Sequence, residues 1–240
     1  MQSNSFARAI AAENDCGFVA VIPDIKCVSP KEGDLLQGRD PVEVATLLVA
    51  SGACLLSVVT EREHFGGSVG LLRDIACNVD VPVLRKDFIT DEAMLLESLD
   101  FGASAVLLIC SILDEDKLSL LYRQALVLGL EPFVEVHNEM ELEWARQLGA
   151  PLIGINNRNI ETLELDEGGP ARTAALAPHV PEGSLLVSES GILSPRDACI
   201  AARAKAHGIL VGTALWQAPD MATAFRSFRV PRKQPSCVPS

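Results

Sequence analysis

Short apolar runs alternate along this chain with longer stretches whose apolar positions recur at helical spacing. The runs at 18–25, 53–59, 82–85, 104–110, 131–136, 151–155, 184–188 and 207–212 predict strands. The stretches at 41–51, 68–78, 91–100, 114–128, 138–148, 170–177, 195–204 and 219–228 predict helices. Asp91 ahead of Glu92-Ala93-Met94, and Asp114 ahead of Glu115, supply helix N-caps. Gly52, Gly102, Gly129 and Gly149 each close a helix and precede a strand. The strand–helix unit recurs about every 30 residues, which is the mark of a repeated βα architecture. The whole chain has 240 residues. Eight units in such a length fit one α/β domain, a closed (β/α)8 barrel, better than an open doubly wound sheet. Residues 1–240 are therefore expected to form a single domain, with 231–240 a loose, proline-bearing tail. Ser29 to Pro41 makes a long loop after the first strand, a length common among lids.

The strands end in chemistry-bearing residues. Phe18 to Ile25 runs into Lys26, and Val81 to Leu84 into Arg85, Lys86 and Asp87. Pro132 to Val134 runs into Glu135, and Leu152 to Ile155 into Asn156, Asn157 and Arg158. Leu185 to Val187 runs into Ser188, Glu189, Ser190 and Gly191. A (β/α)8 barrel collects such ends on one face, where its active site lies.

Composition sharpens that picture. Apolar residues make up 48% of the chain, enough for a large core. No apolar run approaches the roughly 20 residues of a membrane span, and no secretory signal precedes the first strand. The net charge of −12 disfavours nucleic acid as a partner. Against that background four cations at strand ends (Lys26, Arg85, Lys86 and Arg158) point to a small anionic ligand. The loops Ser188-Glu189-Ser190-Gly191 and Gly212-Thr213 offer small residues and backbone N–H groups suited to a phosphate, with Lys26 and Ser29 closing the ring. Lys86 and Glu135 point into one barrel mouth. Arg85 beside Lys86 is expected to lower the lysine pKa toward the general-acid range. Asn156 and Glu189 suit the orientation of hydroxyls, and Phe65, Phe88, Leu107 and Leu163 can wall a slot for an aromatic substrate. The seven cysteines form no C-x-x-C pair and the four histidines show no metal-ligand spacing. Reduced thiols and a cytoplasmic location follow. His207 is expected to be structural.

Pro23-Asp24-Ile25-Lys26 with Ser29-Pro30, Phe65-Gly66-Gly67-Ser68, Leu84-Arg85-Lys86-Asp87-Phe88, Val134-Glu135-Val136-His137, Gly154-Ile155-Asn156-Asn157-Arg158 and Ser188-Glu189-Ser190-Gly191-Ile192 occur here in order. The ordered set resembles the indole-3-glycerol phosphate synthase family over about residues 5 to 216. The resemblance implies a TIM barrel that acts in tryptophan biosynthesis. Its substrate would be 1-(2-carboxyphenylamino)-1-deoxyribulose 5-phosphate, closed to indole-3-glycerol phosphate with loss of CO2 and water, without metal or organic cofactor. Carried over, Lys86 is the general acid of ring closure and Glu135 the proton partner in dehydration. Lys26 holds carboxylate or phosphate, and Asp24, Asn156, Glu189 and Ser190 complete the reacting centre. Gly191, Gly212 and Thr213 carry the phosphate, with Ser29 and Arg158 beside them. Pro30, Phe65, Phe88, Leu107 and Leu163 grip the anthranilate ring. The implied partner is the small phosphorylated substrate alone, with the chain a monomer or weak oligomer.

Four departures stand out, one of them Gly212-Thr213-Ala214 in place of the usual Gly-Glu-Ser or Gly-Ser-Ser of the last loop. Asp24 replaces the family's usual Glu. Asn159-Ile160 replaces Asp-Leu. The family's extra N-terminal helix is expected to be largely absent, since residues 1–17 are all that precede the first strand. They leave open a paralogue acting on another phosphorylated arylamino sugar or ketose, or a non-catalytic barrel that binds a phosphorylated metabolite. A phosphoribosylanthranilate isomerase fits less well, because Asn156-Asn157-Arg158 stands where an Asp is expected.

Overall fold

The computed structural model describes residues 5–158 and 169–232. The barrel strands are β1 (Ala20–Ile25), β4 (Leu56–Val59), β5 (Val83–Lys86), β6 (Ala105–Ile109), β7 (Glu131–Val136), β8 (Leu152–Asn156), β9 (Leu185–Glu189) and β10 (Gly208–Val211). They close in the order β1-β10-β9-β8-β7-β6-β5-β4, and every neighbouring pair is parallel. A (β/α)8 TIM barrel is the fold, and the open sheet is excluded by the β1–β4 pairing that joins Asp24 to Ser57. A two-stranded hairpin, β2 (Val28–Ser29) with β3 (Gly33–Asp34), lies in the long loop after β1. That loop is tied down: Val28 N–H donates to the Phe65 carbonyl and Leu35 N–H to that of Cys27.

Helices α2 (Pro41–Ala50), α3 (Val69–Ala76), α4 (Glu92–Asp100), α5 (Glu115–Leu128), α6 (Glu139–Gln147), α7 (Ala171–Leu176), α8 (Pro195–Arg203), α9 (Thr213–Trp216) and α10 (Met221–Phe228) surround the strands. Their starts follow from side-chain caps. Asp91 and Asp114 accept from the third N–H of α4 and α5, and Ser194 with Asp197 forms a full capping box on α8. Gly129 ends α5 in a left-handed conformation at φ 82°, which a β-carbon would penalise.

Period-two alternation splits the core into two layers. Ile22, Leu84, Leu107, Phe133, Leu152 and Val187 fill the barrel interior. Val21, Val83, Val106, Val134, Ile153 and Leu186 face outward onto the helices. Each strand thus has one set of side chains directed at the barrel axis, and the last of that set reaches the mouth.

The amino end carries a short helix that the apolar pattern did not predict. Phe6–Asp15 forms α1, capped by Ser5 and fully burying Phe6 and Ile10. It plugs the amino-terminal end of the barrel, away from the strand tips. Phe6 and Ile10 join the interior cluster. Glu131 at the start of β7 accepts from the N–H groups of Phe6 (2.6 Å) and Ala7 (3.0 Å). Asn14 donates to the carbonyls of Phe18 and His207. Two buried apolar positions one turn apart are too few to announce a helix in sequence; the partners that complete it lie far along the chain. At the other end Pro231 bridges to Phe18, and Arg232 N–H donates to the Gly17 carbonyl. Residues 233–240 of the expected tail lie outside the described residues. Among the described residues no helix is long and apolar enough to cross a membrane.

Candidate active site at the strand tips

The inward set of each strand continues past the apolar interior into the mouth. Asp24 follows Ile22, Lys86 follows Leu84, Glu135 follows Phe133, and Glu189 follows Val187, each two residues on. Asn156 is the inward tip of β8. The sheet therefore gathers all five polar groups over one apolar floor. The same alternation removes Arg85 from the site, against the expectation of a cation beside Lys86. Its guanidinium is buried on the outer face, bonded to Thr60 Oγ1 (3.0 Å), the Met94 carbonyl (3.1 Å) and Ser98 Oγ (3.2 Å). Ion pairs to Asp87 (3.0 Å) and Glu97 (2.8 Å) complete that structural clasp between β5 and α4.

Lys86 stands between two buried carboxylates. Its Nζ lies 3.0 Å from Glu189 Oε2 and 3.4 Å from Glu135 Oε2. Burial opposes the charge on Lys86, but Glu189, Glu135 and Asp24 outweigh it and push the pKa above the ordinary lysine value, not below it. The ammonium is a charged hydrogen-bond donor. Glu189 is fully buried, and desolvation with the nearby Glu135 charge pushes its pKa up to about 7 despite Lys86. Glu135 is driven the other way: burial raises its pKa, yet Lys86, His137 and the Asn156 hydrogen bond together hold it below the usual carboxylate range. Asn156 donates to Glu135 Oε1 (3.0 Å) and accepts from the Arg158 N–H (3.0 Å), which fixes its amide. Asp24 accepts a 2.7 Å bond from Ser57 Oγ on the neighbouring strand.

Two lobes open from this centre. The first is lined by Phe65, Phe88, Leu107, Ile109 and Val59, with Glu135, Asn156, Lys86 and Asp24 at its base and Arg158 and Ser190 on its rim. The second is lined by Ser190, Gly191, Gly212 and Thr213, and shares Asp24, Lys26, Lys86 and Arg158 with the first. Lys26 is buried where they meet, its Nζ 3.4 Å from Thr213 Oγ1 and 5.7 Å from the centre of the Phe65 ring. Ser29 is buried and lines a third hollow with Arg158 and Thr213. Pro30 is half-buried and is not among the residues lining any of these three hollows. Leu163 lies outside the described residues.

Several supporting residues were not singled out by the sequence reading. Glu61, just beyond β4, accepts from the N–H groups of Glu63, His64 and Phe65, and so sets the loop that carries Phe65. Burial raises its pKa, but these bonds outweigh it and hold the carboxyl low. Asn157 donates to the carbonyls of Glu189 (2.8 Å) and Ser190 (3.1 Å), and accepts from Thr173 on α7. It holds Ser190 at φ 60°, a left-handed geometry that a non-glycine residue adopts at a cost. The Thr60-Glu61 strand end and the Asn156-Asn157 doublet were the available signals. Among the described residues, Glu61, Glu63 and His64 form the one group with donor atoms close enough for a metal ion. The Glu61 oxygens are already engaged by backbone N–H groups, so the cluster serves as a loop clasp.

The arrangement suits a substrate with an apolar ring at one end and a phosphate at the other, held across a proton-transfer centre. The profile described as indole-3-glycerol phosphate synthase matches residues 1–228. The chain is 40% identical over 210 residues to the indole-3-glycerol phosphate synthase of Chlorobium phaeovibrioides, covering 88% of this chain and 80% of that protein. It is 44% identical over 207 residues to the Nocardioides sp. protein of the same description, covering 86% and 78%. For that of Streptococcus pneumoniae the identity is 40% over 229 residues, covering 95% and 88%.

Proposed function

The chain belongs to the indole-3-glycerol phosphate synthase family, and on that premise we propose that its two-lobed pocket converts 1-(2-carboxyphenylamino)-1-deoxyribulose 5-phosphate into indole-3-glycerol phosphate, as a carboxy-lyase of tryptophan biosynthesis. The observation that carries the reading is the Lys86 ammonium, held between Glu135 and Glu189 where the apolar and small-residue lobes meet. The anthranilate ring fits between Phe65, Phe88 and Leu107. The phosphate fits the loops at 190–191 and 212–213, whose small residues let backbone N–H groups approach its oxygens. Lys26, buried between Phe65 and Thr213, holds the carboxylate or the phosphate.

The chemistry follows from where the charges stand. A ring carbon attacks the ribulose carbonyl carbon, and the carbonyl oxygen gains charge as the new C–C bond forms. Lys86 supplies a hydrogen bond and then a proton to that oxygen. Its raised pKa suits the task, because an alkoxide is a stronger base than an amine. The ring nitrogen becomes an iminium that accepts the electron pair of the C–CO2 bond, and CO2 leaves. Dehydration needs a proton on the departing hydroxyl and a base for the proton released as the indole forms. Glu135, kept ionised by Lys86 and Asn156, is the acceptor. Glu189, with a pKa near 7, can hold or release a proton at the same centre.

The test is direct. The purified chain is incubated with the carboxyphenylamino-deoxyribulose phosphate, and indole fluorescence is followed. Turnover that Lys86→Ala lowers by about a thousandfold or more, with the substrate still bound, is the expected result. Near-normal turnover in Lys86→Ala would overturn the assignment. Binding without turnover in the unaltered chain would favour the metabolite-binding alternative.

A further inference from the structure

Behind Glu135, away from the pocket, lies a carboxylate–imidazole pair. His137 directly follows β7. Its Nδ1 is 3.1 Å from Glu141 Oε2, and its backbone N–H donates to the same oxygen at 2.7 Å. Glu141, buried on the first turn of α6, is itself locked by Asn138, whose Nδ2 donates to Oε1 and whose Oδ1 accepts the Glu141 N–H. Glu141 Oε2 can only accept from the ring, which puts a proton on His137 Nδ1. The other ring nitrogen, Nε2, is buried without a hydrogen-bond partner and faces Glu135 Oε1 at 3.4 Å. The same Oε1 accepts from Asn156, while Oε2 faces Lys86 and the pocket.

We propose that His137 is a positioning residue for Glu135: an imidazolium clamped by Glu141, it holds Oε1 at the back of the site and keeps the carboxylate ionised, so that Oε2 is the oxygen offered to the substrate. This rests on the reading of Glu135 as the proton acceptor. The groups facing the ring favour a cation. Glu135 on β7 and Glu141 on α6 are the near charges. The Cys110 thiol, beside β6, sits against the Glu141 carbonyl, and its pKa is pushed up by burial and by these carboxylates, so it adds no charge. Arg172 on α7 opposes protonation, with its guanidinium committed to the carbonyls of Asn156 and Arg158. Burial also lowers the His137 pKa, but the bond to Glu141 and the charges of Glu135 and Glu141 outweigh both and leave it above its ordinary value.

Three measurements test this. In the unaltered protein, the ring nitrogens of His137 are titrated by NMR; a midpoint above the ordinary value of about 6.5 is expected, and one at or below it overturns the proposal. In His137→Asn, kcat is expected to fall about tenfold with little change in KM. The acid limb of its pH profile moves to higher pH by about one unit, because removing a cation raises the pKa of the base. Glu141→Gln moves the limb in the same direction by less. An unchanged limb in His137→Asn overturns the proposal, provided Glu135→Gln is inactive. Near-normal turnover in Glu135→Gln overturns the underlying assignment of Glu135 instead. Should His137→Asn fail to fold, the titration of the unaltered protein still decides.

Discussion

The Glu189 carboxylate occupies the space that a β-carbon on Gly154 would take. Built on the Gly154 backbone, that carbon collides with Glu189 Oε1 and comes within 2.7 Å of Phe133. The neighbouring strand supplies the acid and this one supplies the gap. Gly154→Ala should therefore displace Glu189 from Lys86 and disturb the barrel floor. Turnover is expected to fall by about a hundredfold, the cost of misplacing a reacting group near an ångström. Overpacking should cost about 1–3 kcal/mol of stability. Steady-state kinetics beside a denaturant curve separates the two; unchanged kinetics would show that Glu189 can move without consequence.

Glu189→Gln isolates the carboxylate's charge from its shape. Lys86 holds its proton above the ordinary lysine range because three carboxylates surround it. With one removed, its pKa falls, and the alkaline limb of kcat moves to lower pH. The direction is fixed, since an acid must be protonated to donate. A pH–rate profile is the measurement, and an alkaline limb that stays in place would remove Glu189 from the account.

Asp24 invites a different substitution. The resemblance implies Glu there, yet in this chain the shorter carboxylate has its own anchor. Ser57 Oγ donates to it at 2.7 Å. Asp24→Glu moves the carboxylate one methylene further along and takes it off that donor. A loss of about tenfold in kcat/KM is expected, since small displacements of a reacting group are costly. A gain in kcat/KM would show that Asp24 is a shortened remnant of the longer acid.

Four of the five polar groups at the centre were legible in the sequence as strand ends, and the reason is geometric. Strand ends are marked by the switch from apolar to charged residues, and parallel strands in a barrel must deliver those ends to one face. Lys86, Glu135, Asn156 and Glu189 were found on that basis. Arg85 was misassigned because Val83 and Leu84 are both apolar, one packed on helices and one inside the barrel. The pattern of β5 alone gives no phase. Ser57 went unnamed, and Asn157 was named at its strand end without a role, for another reason. Their value lies in partners on other strands and helices, which no local pattern encodes. Helix α1 escaped notice in the same way, since Glu131 completes it from β7.

His207 makes stability depend on acid. Burial, and then Arg232, push its pKa down to about 4, while Leu186 N–H donates to Nδ1 and demands a neutral ring. The unfolded chain takes up this proton near pH 6.5. The folded state resists it. Stability from this group is therefore constant above about pH 6.5, falls as pH drops toward 4, and changes no further below that. Discounted for solvent around this half-buried ring, the loss is on the order of 2 kcal/mol. His207→Asn retains an acceptor but does not titrate. Denaturant curves at pH 7 and pH 4.5 should differ less for that variant than for the unaltered chain; an equal difference in both would clear His207 of any part in acid sensitivity.

Helix α1 is separated by 125 residues from the carboxylate that accepts its first N–H. A ten-residue helix has little stability of its own in water. On the ribosome, this segment emerges before any of the strands it will seal, and it must wait through the synthesis of six strands before Glu131 appears. A segment made before every barrel strand is among the last able to settle. Completion of the plug thus waits for β7, and closure of the barrel waits longer still, for β10 to pair with β1.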